Sequence, residues 1–152
     1  MTVNSKIFEK QVYRINELLK NNNEKVTWND RIIDPDNPSQ NRQIDISIKN
    51  GQDLTLVECR IHKSVQDVKW IEELIGRKLS MRANAAIGVS ASGFTEGAKL
   101  KAKAFGIALR DFYTLTEAEI QKWGTKTTVL LGLYVKGHLK MHHLGSNQSA
   151  PL

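Results

Sequence analysis

The chain has 152 residues, enough for one domain with its own core, and 40% hydrophobic residues without a long apolar run give an ordinary globular composition. The N-terminal MTVNSKIFEK carries no apolar signal core and no transmembrane-length stretch follows, so the expectation is a cytoplasmic protein with no membrane partner. A single cysteine, Cys59, excludes an internal disulfide and a multi-cysteine zinc site, while a net charge of +6 and a pI near 9.5 favour a polyanionic partner.

Residues 5–21 place Ile7, Phe8, Val12, Ile15, Leu18 and Leu19 at three- and four-residue spacings, which predicts an amphipathic helix ended by Asn21-Asn22-Asn23. Residues 25–33 read as a strand, and Asp34-Pro35-Asp36-Asn37-Pro38 as an exposed loop. Over 43–49 the alternation is strict: Ile44, Ile46 and Ile48 face one way, Asp45, Ser47 and Lys49 the other. Turn chemistry at 50–53 and a β-rich run over 54–61 then predict a hairpin. With residue 49 opposite 54, Asp45 lies opposite Glu58; closing on Asn50-Gly51 alone slides the pairing by two. Both registers keep the two carboxylates on one face, because side-chain direction has period two.

The remaining pattern predicts a helix over 66–82, a short buried strand over 85–89, an alanine- and lysine-rich helix over 94–105 and a strand over 107–112. Thr116 and Glu119 form a capping box for a helix through Trp123, and 127–135 is β-rich. These elements predict a mixed sheet flanked by helices, an α/β fold occupying 1–136, with 137–152 a flexible tail or the start of a missing segment.

Two carboxylates on one strand face repel. Either they point to solvent from a sheet edge, or they share a proton or a cation such as Mg²⁺, which takes one or two carboxylates together with waters and phosphate oxygens. Arg60 shares the parity of Glu58. Between residues 60 and 110, ten Lys/Arg stand against four Asp/Glu, an excess equal to the whole net charge. A solvated helical surface and a polyanion-binding face are both compatible with such a run.

The strings Arg42-Gln43-Ile44-Asp45-Ile46 and Val57-Glu58-Cys59-Arg60 resemble the D…(D/E)xK signature of the PD-(D/E)xK restriction-endonuclease-like superfamily. The segment AIGVSASGFTEGA, residues 86–98, is similar to the strand-loop-helix segment of Mrr-type (type IV) restriction endonuclease domains. Together they cover roughly residues 5–115.

That resemblance implies metal-dependent hydrolysis of DNA phosphodiester bonds, with Mg²⁺, or Mn²⁺ in its place, held by Asp45 and Glu58. Glu9 would join them from the first helix, and Arg60 would stand where the family has lysine. An alternative reading is a catalytically weak or inactive DNA-binding module of the same fold, because arginine stabilises charge but does not accept a proton from water. Lys63 is the substitute basic residue if the strand bends after Arg60. Gln66, Ser90, Ser92, Lys99 and Lys103 are candidate DNA contacts, Ser90 and Ser92 because they precede a helix N-terminus. Capping of that helix is the bland role for the two serines. A homodimer, and a further specificity domain or subunit, fit the same reading. His62, His138, His142 and His143 lack metal spacing, and Trp28, Trp70 and Trp123 read as packing residues.

Overall fold

The computed structural model describes residues 3–111, with side chains from residue 5 onward. The elements expected over 116–123 and 127–135, the tail 137–152, Trp123 and the three C-terminal histidines lie outside the described residues. In chain order the elements are α1 (Val3–Leu19), β1 (Lys25–Asp34), β2 (Asn37–Asn50), β3 (Asp53–Arg60), α2 (Val68–Ser80), β4 (Ala85–Ser90), α3 (Glu96–Ala104) and β5 (Ala108–Asp111). The strands form one sheet in the order β1-β2-β3-β4-β5, antiparallel from β1 to β3 and parallel from β3 to β5. The mixed α/β sheet expected from the sequence is therefore present.

Each parallel step is made by a helix whose ends are written into the sequence. Asp67 caps α2 by accepting the N–H groups of Lys69 at 3.1 Å and Trp70 at 3.4 Å, and Arg77 and Lys78 complement the helix dipole in its last turn. Thr95 caps α3 through Ala98 N–H at 3.1 Å, so the capping role considered for Ser90 and Ser92 belongs to neither.

One sheet face packs Phe8 and Val12 of α1 against Val26, Ile46, Val57 and Val89. The other packs Trp70, Ile71 and Leu74 of α2 and Ala98 and Ala102 of α3 against Ile44, Leu56 and Ala86. Burial of these side chains stabilises the layers at about 25 cal/mol per Å² of apolar surface. Gly88 lets α2 approach: a Cβ there would meet Leu74 Cδ1 at 2.8 Å and Leu109 Cδ2 at 3.3 Å.

The structure differs from the sequence reading in two places on β2. Residues 34–38 are not an open loop. Asp34 is buried and accepts the Asp36 N–H at 2.8 Å, so Pro35 and Asp36 alone turn the chain and Asn37 already pairs with Asp34. Pro38, which has no N–H to donate, falls where the β1–β2 register shifts between Asn37 and Asn41.

The alternation over 43–49 is also broken. Ile44 packs on the α2 side while Ile46 and Ile48 pack on the α1 side. Pairing runs from Trp28↔Ile46 to Asp30↔Ile44 without a pair at Asn29 and Asp45, and Asn29 has φ of 51°. Asparagine tolerates this left-handed backbone better than most residues, so the strand pair changes face at Asp45.

Candidate active site

The β2–β3 hairpin closes with Lys49 opposite Leu54 and ends its ladder at Ile46↔Val57, which makes Asp45 and Glu58 the next facing positions. The ladder stops there for a local reason. The Asp45 carboxylate accepts the Cys59 N–H at 2.9 Å through Oδ2, taking the place of a strand carbonyl. Asp45 is thereby fixed by backbone while its charge stays beside Glu58.

Glu58 is largely buried, with 12% of its side chain exposed. Burial and the neighbouring Asp45 charge push its pKa up to about 8, opposed by the Arg77 guanidinium. Glu9 on α1 is half-buried, and its pKa is raised by burial and then by Asp45. The Cys59 thiol is held well above its ordinary value by burial and by the charges of Asp45, Glu9 and Glu58. Three carboxyl groups from α1, β2 and β3 thus share one electrostatic neighbourhood, in which the Asp45 charge acts on both glutamates.

Arg60 extends from the last position of β3 toward α2. Its Nη2 lies 2.9 Å from Glu73 Oε2, its Nη1 is 3.5 Å from Gln66 Oε1, and the guanidinium stands 5.1 Å from the Trp70 ring centroid. Arg77, in the sequence simply one of the ten basic residues between 60 and 110, reaches Glu58: its Nε is 2.8 Å from Oε1. The two atoms are close but misaligned, and neither has a hydrogen bond. Asp45, Glu58, Arg60, Trp70, Glu73 and Arg77 line one cleft of about 500 Å³.

The other expected contacts disperse. Lys63 is exposed in the loop after β3, where the chain bends at residues 63–64, and it does not line the cleft that holds Asp45 and Glu58. Gln66 is buried, bridges in parallel to Phe94 and donates to Ser64 O at 3.1 Å, so it positions the loop and Arg60. Ser90 is buried and accepts Ser92 N–H at 3.1 Å, while the Ser92 hydroxyl donates to Ser64 O at 2.7 Å. Both serines therefore close the loops beside the cleft. Lys99 and Lys103 are exposed on α3 and line a separate cleft with Phe94 and Asp111; Lys99 lies 3.5 Å from Glu96. His62 is exposed, Trp70 is core, and Trp28 is partly buried beneath Lys10 at 4.7 Å.

Among the described residues no three or more His, Cys, Asp or Glu side chains are grouped so as to hold a metal directly. Asp45 and Glu58 nevertheless suit a hard divalent cation: both offer oxygen, they repel one another, and Glu58 Oε1 is a buried acceptor without a hydrogen bond.

A restriction endonuclease family model, that of the Mrr-type catalytic domain, matches residues 8–118. Among solved structures, the crystal structure of AF1548, a protein of unknown function, is similar with a TM-score of 0.62 and 17% identity over 93% of this chain and 89% of that one. At that identity the likeness concerns the fold. No curated protein matches the chain significantly.

Proposed function

The chain belongs to the Mrr-type restriction endonuclease catalytic family, and we propose that it is a metal-dependent DNA endonuclease domain hydrolysing phosphodiester bonds at the Asp45–Glu58 cleft. The observation that carries this reading is the pair itself: two facing carboxylates, one pushed up to about 8, in a cleft that also holds Arg60. Perturbed carboxyl pairs in clefts are where catalytic chemistry concentrates. Among the described residues no helix is long and apolar enough to cross a membrane.

In this reading Asp45 and Glu58 hold Mg²⁺ or Mn²⁺, which when bound polarises a scissile phosphate and lowers the pKa of an attacking water. Asp45 contributes a fixed oxygen because the Cys59 N–H sets its orientation. Glu9, half-buried and sensitive to Asp45, orients water at the edge of the pair. Arg60, steadied by Glu73, Gln66 and Trp70, stabilises the negative charge that builds on the phosphate. Lys99 and Lys103 on α3 supply exposed positive charge for the DNA backbone. A homodimer, and a further specificity domain or subunit, fit this reading.

Conversion of supercoiled plasmid to open circles in Mg²⁺ tests the reading. Asp45→Ala and Glu58→Ala should abolish nicking with the fold retained; full activity in both variants would sink the assignment. A second reading, a DNA-binding module with little turnover, is favoured by one observation: Arg60 stands at the family's lysine position and is engaged by Glu73. It predicts salt-sensitive DNA binding without cleavage in Mg²⁺ or Mn²⁺.

A further inference from the structure

Arg77 has no part in the scheme above, yet it is the cation nearest Glu58. The last turn of α2 carries it over the middle of β2 and the end of β3, where Nε lies 2.8 Å from Glu58 Oε1 and Nη2 donates to the Gln43 carbonyl, two residues before Asp45. One guanidinium therefore spans the two strands that bear the acids. Arginine stays protonated at any ordinary pH, so it cannot leave Glu58 by losing its proton. It can leave by moving, since 30% of its side chain is exposed to the cleft that Arg42 and Arg60 also line. The Nε–Oε1 contact is the less committed of its two: both atoms lack a hydrogen bond, whereas the Gln43 carbonyl accepts one from Nη2.

We propose that Arg77 is an internal counter-ion that occupies the Glu58 carboxylate and competes with a divalent cation for it. The inference rests on the reading of Asp45 and Glu58 as a metal pair. A guanidinium and a divalent cation cannot share one carboxylate oxygen without strong repulsion at this separation. Metal entry at Glu58 therefore displaces the Arg77 guanidinium, and the apparent metal affinity of the free protein is lowered by the contact that is broken. Arg77 acts here as a positioning residue, on Glu58 rather than on a reacting atom.

The test is Mn²⁺ titration of the full chain by calorimetry or by loss of the free-Mn²⁺ electron paramagnetic resonance signal. Wild type is compared with Arg77→Gln, which retains donors for the Gln43 carbonyl without the charge, and with Arg77→Lys, which retains the charge. Arg77→Gln should bind Mn²⁺ on the order of tenfold tighter, the scale of breaking one ion pair to a largely buried carboxylate, and Arg77→Lys should stay near wild type. Equal or weaker binding by folded Arg77→Gln overturns the Arg77 inference and leaves the metal pair standing. Absence of Mn²⁺ binding by wild type and both variants overturns the two together.

A measurement on the wild-type chain needs only the conservative Arg77→Lys variant, for assignment. The Arg77 Nε–H resonance, assigned by its loss in Arg77→Lys, should move saturably as Mg²⁺ is added. A resonance unmoved while Mg²⁺ binds overturns the inference.

Discussion

The Asp45 carboxylate sits 2.9 Å from the Cys59 backbone nitrogen and replaces a strand carbonyl as its acceptor. One side chain thus ends the β2–β3 ladder and places a negative charge beside Glu58. The two duties separate by substitution. Asp45→Asn keeps an oxygen for the Cys59 N–H but removes the charge, whereas Asp45→Ala leaves a part-buried donor unpaired. Asp45→Ala should therefore be less stable than Asp45→Asn by about 1–3 kcal/mol in urea melts, while both lose nicking. Equal stability would mean that the Cys59 contact carries no weight.

Glu58 makes stability depend on pH in a stated direction. Its carboxyl is raised in the folded state from an ordinary value of 4.5 to about 8, so between those values the folded chain binds more protons than the unfolded chain. Stability should be highest below pH 4.5 as far as Glu58 is concerned, and should fall as pH rises toward 8. Glu58→Gln should flatten that slope, read from thermal melts at pH 5, 6.5 and 8. A wild-type slope unchanged by Glu58→Gln would place the proton elsewhere.

In the proposed scheme Arg60 stabilises charge and transfers no proton, since arginine is not a base at ordinary pH. The rate–pH profile of nicking should show no limb from residue 60, and Arg60→Gln should lower the rate about 10²–10³-fold, the scale for losing one charge-stabilising group. Arg60→Lys should recover part of that loss and introduce a limb at the lysine pKa. Superimposable profiles for Arg60→Lys and wild type would show that residue 60 takes no part in the rate-limiting step.

Gly88 pairs with Glu58 across the parallel β3–β4 ladder and faces Leu74 and Trp70 of α2. Leu74 is buried and Leu109 closes in from the other side, so an added methyl has little room. Gly88→Ala should cost about 1–3 kcal/mol, seen as a lowered denaturation midpoint. No change would mean that α2 packs less closely on β4 than described.

Much of this was legible in the chain. Periodicity located α1, β3, α2, β4, α3 and β5 to within a few residues, and the hairpin register with residue 49 opposite 54 was one of two that turn chemistry allowed. The change of face at Asp45 was not, because it depends on one positive φ at Asn29 on the neighbouring strand, where asparagine was the only signal. The β1–β2 turn is shorter than turn chemistry alone suggests because Asp34 looks like a solvated turn residue, while its ion pair with Arg42 forms only once β1 and β2 pair. Arg77 was hidden for the same reason. In the sequence it is one of ten basic residues between 60 and 110, and only the docking of α2 on the sheet, through Gly88, Trp70 and Leu74, brings it to Glu58.

The central claim is that Asp45 and Glu58 form one divalent-cation site. A crystal grown with Mn²⁺ and measured for anomalous scattering tests it most directly. A single strong peak is expected between the two carboxylates, with the Arg77 guanidinium withdrawn from Glu58. A peak confined to other residues, or none at saturating Mn²⁺ with Arg77 still on Glu58, would contradict it.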